Sequence, residues 1–291
     1  MDRALRAYMW GHTHMRASTA AALERRGLLQ DGTLTPEGFT TAVGLLPLTE
    51  QAQALGLPLR VLDAPRDGQP PELAVLEWVA AQGGNAAFSE GGAFRVLVAC
   101  YAYPWLKRAA QRVYERDQRH GFEPGLWQIP KELHAHGDEH LAPYLYTLGL
   151  HKQTLHTEDP DIFENARKAI PEVESVDVIE AFRALQRFQG ASFEQENRWV
   201  WREWVGVTER HVELLHEAIP ARAMQRLTQG MADYPFLHRG WPDLSVVQDR
   251  KAKLVEVKTT DRLHFSQIST IPFLRHELGI PIEIWRLSPA T

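Results

Sequence analysis

The sequence holds a single cysteine, Cys100. That excludes an internal disulfide and any zinc site built from several thiolates. A lone thiol suits a reducing, cytoplasmic setting. Its place in the apolar run from Phe94 to Leu106 predicts a buried, inert side chain and not a nucleophile. Long hydrophobic runs are also missing. The longest, FRVLVACYAYPWL, is too short to cross a bilayer and carries Arg95 and Pro104, so no membrane partner is expected. The opening residues, MDRALRAYMWGHTHMR, mix charge and histidine where a secretory leader would be apolar. Nor is positive charge in excess. The net charge is −5, and residues 191–291 hold equal numbers of basic and acidic side chains, so the negative balance lies wholly in 1–190. Such a balance disfavours tight non-specific adhesion to a polyanion, yet leaves room for a local basic groove. The acidic N-terminal region suits a protein partner or a homodimer surface.

What is present is a globular composition. Hydrophobic residues make up 44% and charged residues 24% of 291, enough for two domains with their own cores or for one large one. Residues 1–190 read as mostly helical. Two helices open the chain, the second over 17–26, capped by Ser18 or Thr19 and stopped near Gly27. Asp31-Gly32 has the chemistry of a hairpin turn, and Thr35-Pro36-Glu37-Gly38 that of a helix start. Helix, turn and helix over 1–63 resemble a winged-helix arrangement; a small structural helical subdomain is the alternative. Ala64 to Pro71 reads as a linker. Over 72–120, Leu73, Val75, Leu76, Trp78 and Val79 recur near helical spacing. Lys107, Arg108, Arg112, Arg116 and Arg119 fall on shared helix faces, either a phosphate track or an ordinary solvated surface. The histidine-bearing stretches 11–14 and 131–140 lack the paired spacing of a zinc site.

Chemistry concentrates in Gly240 to Leu287. Leu244 to Val247 is a short apolar strand, Gln248 to Lys251 a polar turn, and Ala252 to Val257 a second strand rich in β-branched residues. Two strands joined so tightly form an antiparallel hairpin. Alternation along the second puts Glu256 and Lys258 on one face and Val255 and Val257 on the other. Asp243 stands at the entrance of the first strand. Two carboxylates and an ammonium on one side of a sheet suit Mg²⁺ or Mn²⁺, which share carboxylate and phosphate oxygens. A metal so placed polarises a phosphodiester and lowers the pKa of a bound water, while a nearby lysine orients or deprotonates that water or stabilises charge on the phosphate.

Pro242-Asp243 followed by Glu256-Val257-Lys258 has the PD…ExK form of restriction-endonuclease-like nucleases. Gly240, the string Leu254 to Lys258, Asp261-Arg262-Leu263, Gln267, Gly279 and a last strand over Ile282 to Leu287 follow in an order that resembles the VRR-NUC branch of the PD-(D/E)xK superfamily. That branch includes the C-terminal domain of the Fanconi-anaemia-associated nuclease. The resemblance covers roughly fifty residues of this chain. It implies that Asp243 and Glu256 bind the metal, that the Val257 carbonyl adds a ligand, that Lys258 serves the attacking water and that Gln267 supports the site. It also implies an acidic ligand on an earlier helix, Phe193 to Val205, where Glu194 is preferred and Glu196 is the alternative. Trp201 and Trp204 of that helix share a face, Trp199 does not, and core packing is the favoured role.

The expectation is an α/β protein. A restriction-endonuclease-like mixed sheet flanked by helices occupies 191–291, preceded by a mostly α-helical region over 1–190 with winged-helix character at 1–63. Its expected function is metal-dependent hydrolysis of DNA phosphodiesters, selective for structured or branched DNA (a flap, a junction or an end). The rival is a non-catalytic DNA-binding protein that uses the nuclease fold as a scaffold.

Overall fold

The computed structural model describes residues 2–11, 15–64, 68–120, 161–191, 206–233, 239–277 and 279–287. Helices α1 (Asp2–Met9) and α2 (Ala17–Glu24) precede a small hairpin of β1 (Leu29–Gln30) and β2 (Thr33–Leu34). Asp31 and Gly32 both take positive φ, 50° and 70°, the combination whose twist suits a two-residue hairpin. α3 (Pro36–Gly44) starts as its sequence dictates, with Pro36 in the first turn and the Thr35 hydroxyl accepting from Gly38 N at 3.0 Å. The expected cap of α2 is not made. Its N-cap is Arg16, with no side-chain bond, and Ser18 and Thr19 lie inside the first turn. A hydroxyl caps only from just outside the helix, where it reaches the amides two and three residues on. Leu5, Leu23, Leu29 and Ala42 bury together here, with Tyr8, Met15 and Leu34 packed around them.

α4 (Leu48–Leu55) leads into β3 (Leu59–Leu62), followed by α5 (Pro71–Ala81), β4 (Asn85–Phe88) and α6 (Gly92–Arg119). The helical reading of 72–120 is therefore interrupted by a strand. Asn85 to Phe88 is short and half alanine, without β-branched residues, so no strand pattern announces it. Next come α7 (Ile162–Ala169), a 3₁₀ turn (Ile170–Glu172), α8 (Ser175–Ala191), α9 (Glu209–Ala218) and α10 (Ala221–Asp233), the last two parted at Pro220 as expected. The chain closes with β5 (Leu244–Gln248), β6 (Lys251–Lys258), α11 (Phe265–Glu277) and β7 (Ile282–Leu287).

The large sheet has five strands in the order β3-β7-β6-β5-β4. β3 and β6 both run parallel to β7. β5 passes to β6 through Asp249 and Arg250, both at positive φ (51° and 59°), a tight hairpin turn. The sheet is thus mixed, with helices flanking it.

Two compact units make up the chain: 1–78 with 236–244 and 253–291, and 79–235 with 245–252. The sequence reading makes one cut, between 190 and 191. In the first unit, Trp285 of β7 is 1% exposed and meets Trp78 edge to face at 5.5 Å. Arg60 lies over both rings, at 5.2 and 5.9 Å. In the second, α6 packs against α7 and α8, α8 against α9, and α10 against α7. Cys100 is buried there, and burial pushes its thiol pKa up, so it is inert as expected. The same unit holds a buried polar chain. His211 Nδ1 bonds the Asn85 Oδ1 at 2.5 Å and its Nε2 bonds the Ser245 hydroxyl at 2.8 Å. Because Asn85 Oδ1 only accepts, Nδ1 carries the proton and Ser245 donates to Nε2. His211 is fully buried and Ser245 is 2% exposed. No substrate reaches this serine, and the arrangement fastens α9 in place. Among the described residues, no helix is long and apolar enough to cross a membrane.

Candidate active site

The Leu254 N–H of β6 donates to Pro281 O at 2.9 Å, on the β7 side. Alternation along the strand turns the N–H and C=O of Val257 to the opposite edge. There Asp243 waits, in the coil before β5, and its Oδ2 accepts from Val257 N at 2.8 Å. Asp243 and the Val257 carbonyl are thereby brought to one edge of β6. Side chains alternate as read: Glu256 and Lys258 share a face, and the Lys258 ammonium sits 2.6 Å from Glu256 Oε1.

Glu256 is fully buried. Its Oε1 also accepts from Gln267 Nε2 at 2.6 Å, while Oε2 is buried with no hydrogen-bond partner among the described residues. Gln267 lies on the first turns of α11, and its own Oε1 accepts from His264 N at 2.9 Å. That bond fixes the amide so that its NH₂ faces the carboxylate. Asp261 completes the group, 3.4 Å from the Lys258 ammonium.

Burial raises the Glu256 pKa above the carboxylate range, and the nearby Asp243 charge adds to the rise; Lys258 and Gln267 oppose it. For Lys258, burial pulls the pKa down, but Glu256, Asp261 and Asp243 outweigh it and the net shift is upward. The lysine is held as an ammonium. The carboxylate is held back from ionising chiefly by its burial.

Three contacts from outside the motif set this geometry. Gly240 has φ 76°, and a Cβ there would lie 2.2 Å from Ser266 O and 2.8 Å from Gln267 N. The start of α11 thus rests directly on the backbone that leads to Asp243. Thr270 of the same helix donates to Arg239 O at 2.8 Å. Gln51 of α4, fully buried, accepts from Leu263 N at 2.8 Å and donates to Val43 O at 3.1 Å. It holds the loop between Lys258 and Gln267. Sequence reasoning missed Gln51. A single glutamine in a short helix offers no signal, since its role appears only when a loop more than two hundred residues away is laid against it.

The residues present fit a divalent cation. A buried, unpartnered carboxylate oxygen beside a second carboxylate, with a backbone carbonyl at the same edge, is a hard-oxygen donor set of the kind a divalent cation takes. Asp243, Glu256 and Val257 supply it. Among the described residues, no three carboxylate, histidine or cysteine side chains gather around one point. Glu194 and Glu196, with Trp199, Trp201 and Trp204, lie outside the described residues, as do the histidines of 12–14 and 131–140.

No protein-family model matches the chain, and no curated protein matches it. Solved structures do. Crystal structures of paFAN1 bound to 5′-flap DNA with a gap, carrying a two-nucleotide or a one-nucleotide flap, align with TM-score 0.52 at 19% identity. The fold is FAN1-like. The alignments cover 98% of this chain and 48% of each paFAN1 chain, so this chain spans about half the length of the structures it matches. In this FAN1-like fold, Lys258, Leu62 and Leu287 close three parallel strands at one end of the sheet, and carboxyl ends of parallel strands are where open α/β sheets place their ligands.

Proposed function

We propose that this chain is a divalent-metal-dependent nuclease of the VRR-NUC type that hydrolyses DNA phosphodiester bonds. The observation that carries the reading is Glu256: a fully buried carboxylate with one unpartnered oxygen, beside Asp243 and in contact with the Lys258 ammonium. Lys258 and Gln267 meet Oε1 only, and a buried carboxylate oxygen left without any partner is costly. The FAN1-like fold and the presence of flap DNA in the paFAN1 structures support DNA as the substrate, and branched or flapped DNA as the preferred form.

Asp243, Glu256 and the Val257 carbonyl would hold Mg²⁺ or Mn²⁺, with Glu194, or Glu196 in its place, as the further carboxylate. Such an ion would supply Lewis acidity at the scissile phosphate and would lower the pKa of a bound water. Gln267 holds Glu256 by Oε1, which would leave Oε2 for the ion. Lys258, protonated by its neighbours, donates hydrogen bonds: it orients the attacking water and stabilises charge growing on the phosphate oxygens. It is not the base. Water oxygen bonds to phosphorus and gives up its proton to solvent, the bond from phosphorus to the leaving sugar oxygen breaks, and that oxygen takes a proton from solvent as it departs.

Cleavage of a labelled panel tests this: single strand, duplex, 5′ flap, 3′ flap and four-way junction, each with Mg²⁺, Mn²⁺ or EDTA, beside Asp243→Asn. Cutting that needs metal and is lost in the variant supports the nuclease. Metal-independent binding with no cutting of any structure replaces it with a DNA-binding scaffold.

A further inference from the structure

The sheet register carries the active-site face beyond β6. Lys258 stands opposite Arg286 of β7, and Arg286 opposite Val61 of β3. Residues paired across neighbouring strands project to the same side, so Lys258, Arg286 and Val61 form a row on the face that bears Glu256. The row runs along the carboxyl-end region of the three parallel strands. Its members differ in exposure. Lys258 is buried, Arg286 half-buried, and Val61 is 65% exposed, an unusual value for an aliphatic side chain of a sheet. The row therefore rises from the catalytic group into solvent.

Arg286 is spare in a way that Lys258 is not. Lys258 is matched by Glu256 and Asp261. Among the described residues, Arg286 has no carboxylate in ion-pair range and makes one side-chain bond, Nε to Thr259 O at 3.2 Å. A guanidinium has five donors in a planar fork, shaped for phosphate. The Thr259 bond engages Nε and leaves the two terminal nitrogens of the fork for another partner. Neighbouring strands lie about 4.8 Å apart, so Lys258 and Arg286 are close enough for their side chains to serve neighbouring phosphates of one nucleic-acid strand.

Resting on the nuclease reading, we infer that Arg286 is a substrate-binding residue: it grips the phosphate next to the scissile one, with the exposed Val61 flank as the floor under the adjoining sugar. The nucleic-acid strand crosses β6, β7 and β3 in that order. The alternative is a purely structural role, in which Arg286 props Thr259 and through it Lys258.

The test uses the full chain and the fluorescein-labelled oligonucleotide of the cleavage panel that is cut fastest. KM, kcat and the salt dependence of KM are measured for the unmodified chain, Arg286→Ala, Arg286→Lys and Lys251→Ala, an exposed residue at the opposite end of β6. Arg286→Ala should raise KM about tenfold, the worth of one charge-assisted contact, with kcat little changed. The slope of log KM against log salt should fall by about one. Arg286→Lys should restore the slope, and Lys251→Ala should behave like the unmodified chain. Unchanged KM and slope in Arg286→Ala overturn the inference. So does a loss confined to kcat, which marks Arg286 as a prop. If the unmodified chain cuts no oligonucleotide, the nuclease reading falls first and this inference with it.

Discussion

Gly240→Ala separates two costs that are usually entangled. The residue has φ 76°, a left-handed conformation, so alanine there loses about 1 kcal/mol to backbone strain. The added methyl would also meet Ser266 O at 2.2 Å, Ser266 C at 2.3 Å and Gln267 N at 2.8 Å, all backbone atoms and all nearer than real Cβ atoms come. The first turn of α11 must retreat by the better part of an ångström, and such overpacking costs about 1–3 kcal/mol. The sum is a loss of about 2–4 kcal/mol. Gly279 supplies the control: its φ is 67°, yet nothing lies within 4 Å of its missing Cβ. Gly279→Ala should lose only the strain, about 1 kcal/mol. Urea denaturation of both variants reads the difference. Because the retreating turn carries Gln267 away from Glu256, Gly240→Ala should also slow cleavage by about tenfold to a hundredfold, while Gly279→Ala cuts normally. Equal stability losses in the two variants, or full turnover in Gly240→Ala, would refute the close-approach argument.

Other perturbations reach the same framework. His211 titrates near 6.5 when unfolded, but burial lowers its pKa to about 4 in the folded chain. Its contribution is intact above pH 6.5 and lost as pH falls toward 4, about 3 kcal/mol in all; denaturation between these limits should show that slope, and His211→Gln should flatten it. Gln51→Leu strands the buried Leu263 N–H, while Val43 C=O keeps its bond from Leu46 N, for a loss of about 1–3 kcal/mol, with slower cutting as the loop after β6 loosens. A urea midpoint that does not move would show the glutamine to be dispensable. Lys258→Met should abolish cutting with the fold retained, since the apolar stem is kept and Glu256, already raised in pKa, is free to take up a proton; circular dichroism beside the cleavage assay checks both halves, and wild-type cutting would remove Lys258 from the site.

Local chemistry made much of this protein legible. The Asp31-Gly32 turn, the Thr35 cap, the hairpin at 249–250, β7 and the break at Pro220 each depend on a few neighbouring residues whose conformational preferences agree with the final structure. Where the signal was not local it failed. β4 has four residues of weak pattern, and Ser18 and Thr19 suit a cap that another boundary displaced.

The site divides the same way. By itself the sequence determined which atoms are available: Asp243, Glu256, the Val257 carbonyl, Lys258 and Gln267, with the alternation that sends Glu256 and Lys258 to one face. Strand period is a property of covalent geometry and needs no partner. Only the tertiary structure decided what those atoms meet. It buried Glu256 completely and left one oxygen without a partner, set Gly240 against α11, brought Gln51 to the loop at Leu263, and placed Arg286 and Val61 beside Lys258. Each of these joins residues distant in sequence. Burial and pKa are collective outcomes of packing, and no stretch of chain contains them before the chain has folded.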